Sequence, residues 1–384
     1  MSVSRGRIRF ESVTGRTPWH ELTAHGTALV ANPADPLETL AELDARTGST
    51  RHAGYFSYEL GRCFETLPTE KTDTPGLPLF AFVPVDARPE PPSFVGTLDG
   101  DKSQLISSTF TRPAYEAAVR RCLDYIAAGD VFQINLSQRL KVKVDRTPSE
   151  TFAKLQRRFP AEYGALLEFD DFALVSNSPE LFLRVERLSD GRRRIVNRPI
   201  KGTRPNAPGM HAELLASEKE KAELAMIVDL QRNDLGRICE VGSVIVTEPR
   251  TIEPHPTVLH GVATVEGVLR DGVTLTDILR ATFPCGSITG CPKIRAMQII
   301  DELEPVPRGA YCGAIGWIGR GEMELSVAIR TMTLRDGCAY VPVGGGIVAD
   351  SDPAAEYAET LVKAKAMLTS LGVSEKELAA DGRR

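Results

Sequence analysis

Residues 112–140 read RPAYEAAVRRCLDYIAAGDVFQINLSQRL, and the hydrophobic period changes inside them. Tyr115, Val119, Cys122, Leu123 and Ile126 recur at the spacing of one helix face. Pro113 suits the first helical turn, where no amide partner is needed, and Gly129 suits the C-terminal cap. Beyond the glycine the period falls to two: Phe132, Ile134 and Leu136 alternate with Gln133, Asn135 and Ser137. This strand has an apolar face and a face of amides and a hydroxyl. The polar face either meets solvent or lines a site, and the pattern alone favours solvent.

Working outward, Leu166 to Val175 and Leu181 to Val196 read as strands, the second turned at Ser189-Asp190-Gly191. Arg192, Arg193 and Arg194 beside that turn read as a solvated hairpin end, with no aromatic cluster to suggest nucleic acid. Met210 to Arg237 is helical in character, and a closing helix is expected from Pro353 to Leu371. Strands and helices mix without regular βαβ alternation, which predicts α+β. Upstream, a loosely patterned stretch ends in PVDARPEPP (84–92). The expected division is an N-terminal region (1–105) packed on a catalytic body (106–375), with a short tail (376–384).

With 42% hydrophobic and 25% charged residues over 384 positions, the chain has the composition of a globular protein. A formal net charge of −5 supplies no global field for nucleic acid or an anionic membrane. An anionic small substrate would need local cations or a metal. None of the seven cysteines forms a CxxC pair, which argues against a zinc site and a disulfide framework. The opening MSVSRGRIRFESV lacks the apolar run of a signal peptide, and no stretch is long enough to span a bilayer, so a cytoplasmic location is expected.

Four features carry chemistry. Glu223 shares a helix stripe with Ile227 and Leu230, so its carboxylate should be buried, either in a salt bridge or on a metal. Glu356, Glu359 and Lys363 share a stripe of the closing helix, whose default reading is a solvated face with a Glu359–Lys363 pair. Two helices with inward carboxylates would nevertheless suit magnesium, a hard oxygen-seeking ion. FPCGSITGCPK (283–293) and Gly344-Gly345-Gly346 are either ordinary turns or places where backbone amides approach an anion. In PIKGT (199–203), Lys201 is either exposed or desolvated into a nucleophile. Dinucleotide and P-loop patterns are absent.

In order, SPE (178–180), PIKGTRP (199–205), AELAMIVDLQRNDLGRIC (222–239), FPCGSITGCPKIRAM (283–297), RGAYCGAIGW (308–317), AIRT (328–331) and GGGIVADSDPAAEYAET (344–360) closely resemble the chorismate-utilising enzymes. That family includes anthranilate synthase component I, aminodeoxychorismate synthase component I, isochorismate synthase and salicylate synthase. The resemblance runs from about residue 112 to 372, with an echo in GYFSYELGRCFE (54–65). Lys201 resembles the aminodeoxychorismate branch, since anthranilate synthases typically carry alanine there. Gln133 stands where the isochorismate and salicylate branches usually place a general-base lysine.

The resemblance implies two packed antiparallel sheets with helices outside and the site in the cleft between them. It implies magnesium held by Glu223 and Glu359, with Glu356 nearby, and substrate contacts from Gln133, Thr203, Ser287, Lys293, Tyr311, Arg330, Gly344 and Gly346. Glu180 matches the general acid, His260 the histidine near the departing C4 hydroxyl, and Lys201 the nucleophile adding at C2. The implied reaction is amination of chorismate at C4 to 4-amino-4-deoxychorismate, on the route to 4-aminobenzoate and folate. No amidotransferase signature occurs, so ammonia is expected from a separate glutamine amidotransferase subunit. The alternatives are an anthranilate synthase component I and a silent chorismate-binding subunit. Cys291 and Leu259 depart from the common pattern, where many relatives carry alanine and a second histidine.

Overall fold

The computed structural model describes residues 7–11, 22–24, 26–69, 71, 76–87 and 103–373. Helix Arg112–Ala127 carries its proline in the first turn, is capped by Thr111, and is followed by Gly129 at φ 80°. Strand Gln133–Lys143 follows. Its polar face is not solvated: Gln133, Asn135 and Ser137 are 0%, 8% and 6% exposed. Ile134 and Leu136 instead pack under the helix with Tyr115 and Val119. The strand is therefore covered on both faces, which period-two alternation cannot distinguish from one-sided burial.

Described strand pairings are antiparallel and form two layers. One sheet runs Arg7–Glu11, Tyr163–Glu168, Ala173–Ser178, Thr331–Arg335, Cys338–Ile347, Gln133–Lys143. Gln104–Ser108 and Gly290–Cys291 pair along the free edge of Gln133–Lys143. The other runs His52–Phe56, Ala314–Gly319, Glu322–Val327, Leu181–Arg187, Arg193–Arg198, Val258–Val268, Ile245–Pro254. Ile200–Pro205 continues the edge that Arg193–Arg198 begins on Val258–Val268. Phe80–Ala87 pairs with His52–Phe56 in one layer and Leu22–Ala24 in the other, joining them. Pro84 thus lies in a strand, while Arg88–Pro92 and the tail 376–384 fall outside the described residues.

Ile8, Tyr55, Leu174, Ile315 and Trp317 fill the space between the layers. Helices Pro148–Arg158 and Pro353–Leu371 cover the first sheet through Phe152, Leu155, Met367 and Leu368. Helices Glu218–Gly236 and Leu275–Thr282 cover the second through Leu224, Leu235 and Leu279. Each such side chain, fully buried, contributes about 1.5–3 kcal/mol.

Two expected elements divide differently. Leu166 to Val175 is a hairpin, Tyr163–Glu168 and Ala173–Ser178, turned at Asp170-Asp171. Phe169 and Phe172 stack across that turn at 4.8 Å and hide it within an apolar run. Met210 to Arg237 is two helices, Met210–Ala216 and Glu218–Gly236, because Ser217 is extended (ψ 104°) and caps the second. The Arg192–Arg194 stretch is a hairpin end, with Arg192 on Asp190 and Arg194 on Glu186. Among the described residues no helix is long and apolar enough to cross a membrane.

Candidate functional site

The site lies where the two sheets face each other. Lys201 comes from strand Ile200–Pro205 of one sheet, and its Nζ donates to Oε1 of Gln133 in the other at 3.4 Å. The PIKGT segment delivers this lysine through an irregularity, since the register shifts between Ile200 and Thr203. Gly202 takes φ 85°, and Gly261 opposite lets the Lys201 carbonyl approach to 2.5 Å of where a Cβ would stand. Burial holds the Lys201 amine below the usual lysine range, opposed by the charges of Glu223 and Glu180.

Glu180 lies two residues after Ser178 at the crossing from Ala173–Ser178 to Leu181–Arg187, so the chain changes sheet beside this carboxyl. Its backbone is pinned by Ser178 Oγ, which accepts from Glu180 N at 3.2 Å, and by Val327 N, which donates to its carbonyl. Ser287 Oγ donates to its carboxylate at 2.5 Å. Burial pushes Glu180 up to about 7, with the Ser287 hydrogen bond and the Lys201 charge pulling against it. That value leaves a protonated fraction near neutrality, which suits a general acid.

His260, 2% exposed, has Nδ1 3.0 Å from Thr203 Oγ1. Burial pushes the imidazole down to about 3, with the Arg330 and His255 charges adding, so the ring is neutral in ordinary buffers. Arg330 itself stands at φ 49°, a strained conformation for a non-glycine residue. Among the described residues its guanidinium has no ion-pair partner, and burial lowers its pKa. A half-buried cation without such a partner is suited to an anionic ligand.

The triglycine strand forms the opposite wall. A Cβ on Gly346 would stand 3.3 Å from the Gln133 amide and 3.5 Å from Lys201 Nζ. At Gly344 it would stand 3.0 Å from the Tyr311 hydroxyl. Among the described residues Gln133 Nε2 is buried without a hydrogen-bond partner, a donor suited to a ligand acceptor.

Glu223, Glu356 and Glu359 come from two helices. Burial pushes Glu223 up, with the charges of Glu220 and Glu359 adding and Lys201 opposing. Burial also pushes Glu356 up, against a 2.6 Å hydrogen bond from Ser351. At Glu359, whose side chain is half exposed, desolvation is outweighed by Lys363, whose Nζ lies 2.7 Å away, and the carboxyl sits below its ordinary value. Among the described residues no three His, Cys, Asp or Glu side chains are grouped so as to hold a metal ion by themselves. The donor chemistry would fit a hard divalent cation, since these are all oxygen donors and the charge of Glu359 works against the ionised forms of Glu223 and Glu356.

Two expected substrate contacts have protein partners. Lys293 donates to Asp234 at 2.5 Å and to the Thr282 carbonyl at 2.7 Å, so its charge is committed inside the protein. Ser287 serves Glu180. Lys363, read from spacing as half of a solvated pair, also donates to the Gly344 carbonyl at 3.0 Å and so belongs to the site wall. Its signal was the proximity of the triglycine strand, a tertiary fact outside helix spacing.

Known proteins share this architecture. The family model for chorismate binding enzyme matches residues 89–369. Anthranilate synthase component 1 of Pseudomonas aeruginosa is 44% identical over 278 residues, covering 71% of this chain and 56% of that protein. This chain therefore spans little more than half of that relative's length. Aminodeoxychorismate synthase component 1 of Salmonella typhimurium is 39% identical over 395 aligned positions, covering 94% of this chain and 84% of that one. The crystal structure of anthranilate synthase component I from Streptococcus pneumoniae superposes with TM-score 0.76 at 31% identity, covering 96% and 91% of the two chains.

Proposed function

The chain belongs to the chorismate-binding enzymes, and within that family we propose that it aminates chorismate at C4, giving 4-amino-4-deoxychorismate. The observation that carries the reading is Lys201, a half-buried amine held by Gln133 in the same field as Glu180, the proposed acid. In this reading a lysine there would take the position at which an anthranilate-forming enzyme would admit ammonia to C2.

In the proposed sequence Glu180 protonates the C4 hydroxyl, a poor leaving group, as its bond to carbon breaks. The neutral Lys201 amine adds at C2 while both ring double bonds shift toward C4, and water departs. Ammonia then attacks C4, the double bonds return, and the C2–nitrogen bond breaks to release Lys201. Two displacements explain why nitrogen ends on the carbon that lost oxygen. Neutral His260, fixed by Thr203, would hydrogen-bond the departing group. Arg330, Tyr311 and the amides at Gly344 and Gly346 would orient the substrate carboxylates. Glu223, Glu359 and Glu356 would hold magnesium, which when bound offsets the ring carboxylate's charge.

Ammonia would come from a separate glutamine amidotransferase subunit, and the product would serve 4-aminobenzoate and folate synthesis. Relatives named anthranilate synthase component 1 support the second reading, anthranilate formation. Mass and ultraviolet analysis of the product from chorismate, magnesium and an ammonium salt separates the two. Aminodeoxychorismate, converted to 4-aminobenzoate by its lyase, is expected; anthranilate or isochorismate overturns the assignment.

A further inference from the structure

Behind the site lies a buried ion pair that the proposed chemistry does not use. Arg308 and Glu304 have side chains 2% and 4% exposed. Arg308 Nε donates to Glu304 Oε2 at 2.9 Å and Nη2 to Oε1 at 2.6 Å. The remaining guanidinium donors reach two backbone carbonyls on separate segments: Ile288 at 3.1 Å and Asn135 at 2.5 Å. Glu304 Oε1 also accepts from Ser137 N at 2.8 Å and Ser137 Oγ at 2.9 Å. The guanidinium also lies over aromatic rings, its carbon 4.7 Å from the Tyr58 centroid and 5.9 Å from that of Tyr311. Glu59 holds the backbone of this corner, accepting from Arg308 N and Gly309 N.

The segments so joined are the ones that present the chemistry. Ile288 follows Ser287, the donor to Glu180, in the turn Gly286–Ile288. Asn135 lies two residues from Gln133, the acceptor for Lys201, and pairs with Gly346. Ser137 pairs with Gly344, next to the Tyr311 hydroxyl. Stability alone gives weak reason for such a pair, because apolar residues of similar volume stabilise an interior as well or better. What apolar residues cannot supply is a rigid fork of donors that fixes two carbonyls and a carboxylate at once.

We propose that Arg308, locked by Glu304, is a positioning residue that sets the Ser287–Glu180 acid against the Gln133–Lys201 pair. It acts through the turn carrying Ser287 and the strand carrying Gln133, and makes no contact with the reacting atoms. The proposal rests on the reading of Glu180 as the acid. The groups facing Glu180 are Lys201 from its strand and Cys285 and Ser287 from the turn. Loosening the turn weakens the Ser287 hydrogen bond, which favours the charged carboxylate. The acid then stays protonated to higher pH.

The test uses the full chain carrying Arg308→Lys, Ser287→Ala or both, with thermal unfolding first establishing that each is folded. Lysine keeps the charge but loses the planar fork. Chorismate consumption is followed across pH whatever product forms, so product identity remains a separate test of Lys201. The expected result for Arg308→Lys is kcat lowered about tenfold or more with KM changed less. Its alkaline limb moves to higher pH as in Ser287→Ala, and the double variant moves no further. Wild-type kcat in Arg308→Lys, or a limb displacement that adds in full to that of Ser287→Ala, overturns the proposal. Where Arg308→Lys fails to fold, Glu304→Gln carries the same expectations, since it retains an acceptor for Ser137. Wild-type kcat in that variant overturns the proposal equally.

Discussion

Lys201 and Gln133 meet across the two sheets, amine to amide oxygen at 3.4 Å, so the proposed nucleophile is held by a strand 68 residues earlier in the chain. Each sheet supplies half of the contact, and neither alone would orient the amine. Lys201→Ala should lower amination on the order of 10³-fold or more while leaving the fold intact, the scale of loss when a nucleophile is removed. Circular dichroism checks the fold and product analysis the activity. Near wild-type turnover to the same product would sink the covalent role.

Glu180 couples function to stability. Its folded-state value of about 7 lies above the ordinary 4.5, so the folded protein holds a proton that the unfolded chain has released. The sign follows: the contribution to stability is complete below about 4.5 and is lost as pH rises through about 7. Glu180→Gln should reduce turnover by about 10²–10⁴-fold. It should also be more stable than wild type at pH 8, by roughly 3 kcal/mol at most, and not at pH 4. Melting temperatures at the two pH values check this; equal pH dependence in both proteins counts against a raised Glu180.

Local signals were legible where they depend on neighbours in sequence. The closing helix runs Pro353–Leu371 as expected, between Asp352 as cap and Gly372 at φ 90°. The family motifs likewise place Lys201, Glu180, Gln133 and Gly346 together. What escaped is tertiary. Gln133, Asn135 and Ser137 looked solvated because alternation reports chemistry, not what covers each face. Lys293 looked free because Asp234, its partner, is 59 residues away. Arg308 opens the quoted RGAYCGAIGW motif, but its role escaped because the carbonyls it fixes, Ile288 and Asn135, lie on distant segments.

Gly346 tests the closeness of the triglycine wall. A Cβ there would crowd the Gln133 amide at 3.3 Å and touch Lys201 Nζ at 3.5 Å. The methyl fills space at the site more than it disturbs the core. Gly346→Ala should raise the KM for chorismate about tenfold or more while lowering stability by roughly 1–2 kcal/mol. Initial rates and thermal unfolding together check it. A large loss of stability with unchanged KM would make the glycine a packing residue only.

The carboxylates of Glu223, Glu356 and Glu359 give the metal prediction its physical ground. Burial raises Glu223 and Glu356, and the charge of Glu359 works against the ionised form of each. The lysines present answer only in part: Lys363 pairs with Glu359, and Lys219 stands 4.0 Å from Glu223. A divalent cation between the helices would relieve this repulsion and leave positions open for substrate oxygen. Chelation should abolish chorismate turnover and magnesium restore it. Glu223→Gln should need about 10–100-fold more magnesium for half-maximal rate, the range typical of a weakened metal site. Full activity after exhaustive chelation would remove the metal from the mechanism. An unchanged magnesium requirement in Glu223→Gln would instead move the site away from that helix.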